Sequence, residues 1–264
     1  ASVRTGPEAT APLVADFYDP FADDAVVRLF ATGHRNSYDL AWHSNGSLYA
    51  AMNGSAPGGN TPGGTRPDGT VVPALFDLGL QEDFLVRVLE GRYYGHPNPL
   101  HDEFVAYGGN PTAGVDNDPN EVDEYPAGVL PDPNYDLAGS YPLGPSRSPN
   151  GIIEYRADVF GSSLQGALLF AEYSSGDDIR VVLLDEAGLP VDEFLLTDPT
   201  GEVIEYADVL DITEGVDGRL YLSTLNRGNG GSQIVRLDPR PDATADENGD
   251  LAVFLVDGTD PAAA

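Results

Sequence analysis

Lysine and cysteine are both absent from this chain, and its 13 basic residues, every one an arginine, stand against 43 carboxylic acids. Without cysteine there are no disulfides, no thiolate metal sites and no cysteine nucleophile. The formal charge of −30 at pH 7 repels phosphate backbones and anionic lipid, so nucleic-acid binding is not expected. No apolar run approaches the roughly 18 residues of a membrane helix, and no membrane insertion is expected. Ala1 to Gly6 lack the basic-then-apolar pattern of a secretory signal. Any export signal is therefore expected to lie outside this chain or to have been removed. Long helices are disfavoured by 31 Gly and 22 Pro, which call for frequent turns.

Two origins fit such acidity. One is adaptation to high salt, where screening removes the self-repulsion of a compact acidic chain. The other is an acidic, Ca²⁺-rich extracellular protein in ordinary water. Missing lysine beside retained arginine, the cation suited to bidentate pairing, favours the first.

What is present is a repeated hairpin. Asp39-Leu40-Ala41-Trp42, four residues to Gly46, then Ser47-Leu48-Tyr49, has the same frame as Asp211-Ile212-Thr213-Glu214 followed by Asp217-Gly218-Arg219-Leu220-Tyr221. Asn-Gly or Asp-Gly between alternating apolar residues predicts a type I′ hairpin turn. Short strands are further expected at 25–30, 84–89, 151–155, 167–171, 179–184, 193–196, 233–237 and 251–255. Four short strands per roughly 40–50 residues is the spacing of propeller blades. Residues 54–73 and 94–149, rich in Gly, Pro, Asn and Asp, are expected to be loops, and so long an irregular stretch is usually functional.

The expected organisation is a lead-in at 1–24, a partial β-propeller at 25–258 with a long loop insertion at 94–149, and a tail at 259–264. The fold class is all-β, a propeller of six-bladed type with about three blades in this chain. Half a propeller is expected to expose the strands carrying Ile152 and Leu168.

Several residues invite a chemical role. His96 and His101 flank Pro-Asn-Pro with a spacing that suits neither a helix nor a strand metal site. Asp116, Asp118 and Asn120 lie in an oxygen-rich loop that could hold Ca²⁺, although Glu121 stands where the EF-hand pattern needs Gly. Glu172, Asp177 and Asp178 could form an acid/base group at a propeller mouth.

Four stretches carry a resemblance: Gly33-His34-Arg35-Asn36 with its hairpin, Glu90-Gly91-Arg92-Tyr93-Tyr94-Gly95-His96-Pro97, Ser148-Pro149-Asn150-Gly151-Ile152, and Asp208-Val209 running into the second hairpin. Together they resemble the C-terminal part of the glucose/sorbosone dehydrogenase family, six-bladed propellers that use pyrroloquinoline quinone (PQQ) and Ca²⁺ to oxidise sugars. The resemblance implies that Arg35 and Asn36 contact the quinone, and that Asn53, Gly54 and Asp83 occupy the places of the Ca²⁺ ligands. It also exposes departures. The family's cofactor-binding Lys falls at Tyr173-Ser174, two of its Arg fall at Glu205 and Ala207, and its general-base His belongs to upstream blades. PQQ is tricarboxylate, so these changes weaken its expected binding; calcium is retained as a candidate.

The expectation is therefore an extracellular or cell-surface, salt-adapted sorbosone-dehydrogenase-like propeller module for binding or structural assembly. Its expected partners are another chain or upstream blades that complete the ring, and carbohydrate is a candidate ligand. The rival is a PQQ- and Ca²⁺-dependent sugar dehydrogenase completed by those blades.

Overall fold

The computed structural model describes residues 26–104, 132–136, 140–198, 200–225 and 231–239, together with the backbone of 253–256. The expected lead-in at 1–24, the tail at 259–264, and Asp116, Asp118 and Asn120 lie outside the described residues.

In chain order the strands are β1 (Leu40–Trp42), β2 (Leu48–Met52), β3 (Gly59–Thr61), β4 (Gly64–Thr65), β5 (Val71–Val72), β6 (Leu75–Leu78), β7 (Glu82–Val88) and β8 (Ser140–Pro145). They continue with β9 (Pro149–Glu154), β10 (Leu168–Glu172), β11 (Asp178–Leu184), β12 (Pro190–Leu195), β13 (Val209–Glu214), β14 (Leu220–Thr224), β15 (Gln233–Pro239) and β16 (Val253–Val256). A 3₁₀ turn at Pro99–His101 is the one helical element among the described residues. The chain divides into two compact units.

The larger unit comprises residues 35–56, 80–88 and 138–264. It holds three four-stranded antiparallel sheets, ordered β1-β2-β7-β8, β9-β10-β11-β12 and β13-β14-β15-β16. Each is a four-stranded meander of the kind from which propellers are built, and the chain is all-β and propeller-type as expected. The first strands gather: β9 packs beside β1 and β2 on one side and beside β13 on the other. Between the first two sheets Ala41, Tyr49, Leu85 and Leu143 meet Ile152, Leu168, Phe170 and Val182. Between the second and third, Leu169, Ala171, Ile179 and Val181 meet Val209, Ile212, Leu220, Leu222, Val235 and Leu237. Each large apolar side chain buried there contributes about 1.5–3 kcal/mol. In the middle sheet Leu168 and Phe170 face the first sheet while Leu169 and Ala171 face the third, so β10 is a continuous apolar run and not an alternating one.

Ile152 and Leu168, expected to be exposed, are 2 % and 0 % exposed. They belong to the middle sheet, so both of its faces are covered. Exposed apolar strand residues of this unit include Leu40 and Trp42 of β1, at 56 % and 64 %, as well as Val191 of β12 and Ile234 of β15.

Three further expectations are corrected. Both hairpins form, but the turn is not type I′, because Gly46 and Gly218 have positive φ while Asn45 and Asp217 do not. Gly46 N–H donates to His43 O at 2.9 Å and His43 N–H to Ser47 O at 2.9 Å. That pattern is a three-residue loop, a type I turn closed by a left-handed Gly. Asn45 keeps ordinary φ because its Oδ1 accepts Ser47 N–H at 2.9 Å. The same loop recurs at residues 66–70 and 185–189. Second, residues 140–145, inside the expected loop insertion, form β8 and pair with β7. Pro142, Gly144 and Pro145 hid it, yet proline is tolerated in an outermost strand that needs no donors on its free side. Third, residues 26–30 form no strand. Phe30 O instead accepts Gly91 N–H at 2.7 Å, and Val26, Leu29 and Phe30 are exposed.

The smaller unit comprises residues 1–34, 57–79 and 89–137. It pairs β3 with β6 and β4 with β5; β3, β4 and β5 lie inside 54–73, the stretch expected to be a loop, and β6 just after it. Gly33, at φ +78°, leaves no room for a side chain, since a Cβ there would lie 2.6 Å from Tyr94 N. Tyr94 N–H donates to Thr32 O at 3.0 Å and His96 N–H to Gly33 O at 2.9 Å. Gly33-His34 and Tyr93-Tyr94-Gly95-His96, two of the four resembling stretches, are thus joined by backbone. Burial pushes the His34 imidazole down to about 4, so it is neutral beside Tyr94, 4.9 Å away.

Candidate functional site

Antiparallel meanders with their first strands side by side bring the residues just after β2 and just before β7, together with the β8–β9, β10–β11 and β12–β13 connections, to one end of the larger unit. A continuous line of hydrogen bonds crosses that end. Arg35 Nη1 donates to Gly54 O at 2.6 Å, and Asn53 N–H donates to Arg35 O at 3.0 Å. Asp83 accepts Gly54 N–H on Oδ1 at 2.8 Å and Ser148 N–H on Oδ2 at 2.7 Å, with Arg147 N–H and the Asn53 side chain as further donors. Beyond it, Tyr173, Ser174 and Ser175 N–H donate to Ser148, Arg147 and Ser146 O at 3.1–3.2 Å. Asp177 closes the line, taking Asp208 N–H on Oδ1 at 2.8 Å and Tyr206 N–H on its carbonyl at 2.6 Å.

The backbone along this line is strained. Asn36, Ser146, Ser148, Asp177 and Asp208 all have φ between 50° and 58°, a region that costs a non-Gly residue free energy and clusters at functional loops. Gly54 has no alternative residue: a Cβ there would run into the Glu82 carbonyl.

Of the residues marked from the sequence, Arg35, Asn53, Gly54 and Asp83 are brought together, while Asn36 is exposed beside them. Their chemistry as arranged is mutual satisfaction. Gly54 O, the carbonyl placed for Ca²⁺, is occupied by a guanidinium. Both Asp83 oxygens face N–H donors, which a cation would have to displace. Burial, opposed by those donors, still raises the Asp83 carboxyl above its ordinary range. The arrangement does not fit a Ca²⁺ site built on Asn53, Gly54 and Asp83. Among the described residues no group of three His, Asp or Glu is poised around a metal position. His101 Nδ1 is 2.8 Å from Glu103 Oε1 in the smaller unit.

A residue the sequence reading passed over is Arg147. Its carbonyl accepts Ser174 N–H, so it stands where Tyr173-Ser174 seemed to leave the region without a cation. Its guanidinium lies 3.5 Å from Glu172 and 3.7 Å from Asp178. Arg180 holds Glu172 with Nε at 2.8 Å and Nη2 at 3.1 Å. The only signal for Arg147 was an Arg between two Ser ahead of Pro149-Asn150-Gly151. A set of PQQ carboxylates at this end would meet Arg35 turned onto Gly54 O and Arg147 facing two carboxylates.

Fold and loops together define a propeller-type, all-β protein with a braced, polar loop face. No family model matches the sequence, and no curated protein matches it. Solved structures similar to it include an oxidoreductase described as a glucose dehydrogenase, from Thermus thermophilus, at 19 % identity and a TM-score of 0.42. That likeness covers 79 % of this chain and 47 % of the other. Two further glucose dehydrogenases are each 20 % identical, with TM-scores of 0.47 and 0.46, covering 83 % and 82 % of this chain and 48 % and 49 % of theirs. The chain spans about half the length of the structures it matches.

Proposed function

We propose that this chain is a sorbosone-dehydrogenase-like β-propeller module that acts in binding or structural assembly, outside the cell or on its surface, in a salt-rich medium. The observation that carries the reading is the chain of hydrogen bonds that runs from Arg35 through Gly54 and Asp83 to Ser148. The groups that resemble cofactor and metal ligands are spent on holding loops in place. A polar loop face so braced suits recognition of a neutral, hydroxyl-rich ligand such as carbohydrate better than capture of a tricarboxylate. The exposed pair Leu40 and Trp42 on β1 supports a further sheet, from another chain or another segment, packing there to continue the propeller and protect that face. The charge of −30 with no lysine supports the saline setting.

A second reading, a PQQ- and Ca²⁺-dependent sugar dehydrogenase completed by further blades, is favoured by one observation: Arg35, Asn53, Gly54 and Asp83 do converge. Reconstitution of this chain together with the segment or chain that supplies the further blades, with PQQ and Ca²⁺, followed by dye-linked aldose oxidation, separates the two. The module reading predicts no turnover above the cofactor-free control. Sustained, PQQ-dependent turnover by that assembly would establish the enzyme instead.

A further inference from the structure

Glu172 ends β10 and Asp178 begins β11, directly opposite each other in the hairpin register. Like charges placed so are destabilising, and both are buried, Glu172 completely and Asp178 to 4 % exposure. Two guanidiniums face them. Arg180, on β11, grips Glu172 through two nitrogens and gives a third to Glu193 Oε1 of β12 at 2.7 Å. Arg147, from the β8–β9 connection, reaches Glu172 and Asp178 only at ion-pair distances of 3.5 and 3.7 Å. Tyr141 of β8 also faces the group, its hydroxyl held protonated by burial and by Glu193 and Asp192 against the pull of Arg180. Three carboxylates thus meet two cations, one negative charge in excess. Asp178 Oδ1 and Glu193 Oε2 are moreover buried without a hydrogen-bond donor.

We propose that Glu172 and Asp178 share one proton, which balances the charge of this buried group and supplies the donor that the Asp178 carboxylate lacks. Two carboxylates paired directly across a buried hairpin end favour a shared proton, because ionising both side by side out of water is costly. Burial, opposed by Arg180 and reinforced by Asp178, pushes Glu172 up to about 7. The native state therefore binds a proton that the unfolded chain releases near the ordinary carboxylate range of about 4. Stability from this pair is full below that range, falls as pH rises toward about 7, and is flat above, roughly tenfold in the unfolding constant per pH unit inside the window. Above the window the pair carries two charges, and Arg147, whose side chain is 27 % exposed and loosely held, is drawn inward. Arg147 lies in the loop whose carbonyls take Tyr173, Ser174 and Ser175 N–H, so the proton count bears on the bracing of the loop face.

Asp178→Asn tests this, since its amide supplies a permanent donor and removes the excess charge. Infrared spectra of the whole chain in molar salt near pH 6, where surface carboxylates are ionised, should show a buried carboxylic-acid C=O band. That band should be missing from Asp178→Asn and from Glu172→Gln. Chemical unfolding of Asp178→Asn should lack the tenfold-per-unit loss across the window that the wild type shows, leaving the variant more stable than wild type at pH 8. Should Glu172→Gln fail to fold, because it leaves the Arg180 fork half-satisfied, Asp178→Asn decides alone. A wild type without the acid band, a band that survives in Asp178→Asn, or an Asp178→Asn chain less stable than wild type at pH 8 each overturns the proposal.

Discussion

Replacing Asp83 by alanine should loosen the loop face more than any other single change along it. The carboxylate receives Gly54 N–H at 2.8 Å and Ser148 N–H at 2.7 Å, tying the connection after β2 to the one after β8. Asp83 is 3 % exposed, so truncation leaves these donors without an acceptor and with little access to water. A hydrogen bond to a charged group is worth about 1.5–3 kcal/mol, and an orphaned buried donor costs a similar amount. Against that stands the desolvation of the carboxylate, the same effect that raises its pKa, which the variant no longer suffers. The net loss should be about 2–4 kcal/mol, or roughly 5–15 °C in Tm for a domain of this size. Calorimetry or circular dichroism in molar NaCl reads the midpoint. Asp83→Asn, which retains one acceptor but turns an NH₂ toward the second N–H, should fall between wild type and alanine. A shift under about 2 °C for Asp83→Ala would refute the reasoning and free Asp83 for another role.

Other sites give sharper steric or hydrogen-bond tests. Gly151→Ala would drive a Cβ into the Asp211 carboxylate and to 2.7 Å from its Cα, so a loss of about 1–3 kcal/mol is expected from overpacking, read as a lower denaturant midpoint at unchanged slope. Tyr49→Phe removes a buried hydroxyl that donates to Gly188 O at 2.7 Å and should cost about 0.5–1.5 kcal/mol in the same unfolding titration. Thermal melts should rise by many degrees from dilute buffer to molar NaCl, where the Debye length contracts to about 3 Å; a flat or falling midpoint would point to specific cation neutralisation instead.

Strand positions were legible wherever apolar residues alternated, as in Leu220 to Leu222, or ran together between turn residues, as in Leu168 to Ala171. Legibility failed where the strand lay at an outer position and its residues no longer alternated, as in Ser140–Pro145, or where strands were two residues long, as in Gly64–Thr65 and Val71–Val72. Residues 26–30 show the opposite error: a β-like composition that finds no ladder to join. The turn type was misjudged because Asn45 can meet the demands of a hairpin through its own side chain rather than through a left-handed backbone. At the loop face, Arg35, Asn53, Gly54 and Asp83 were marked by resemblance and do converge. What binds them together was invisible, since the donors are mostly backbone N–H groups of Asn53, Gly54, Arg147 and Ser148, which no residue type announces. Glu172 and Asp178 were noted as acids, but their burial and the approach of Arg147 and Arg180 depend on register and packing.

The central claim is that the cofactor-like residues of this chain serve to brace loops and not to hold a quinone. Titration calorimetry with PQQ in millimolar Ca²⁺ and molar NaCl tests it most directly. The account predicts no saturable binding tighter than about 10 μM, whereas a submicromolar Kd, roughly −8 kcal/mol or better, would contradict it.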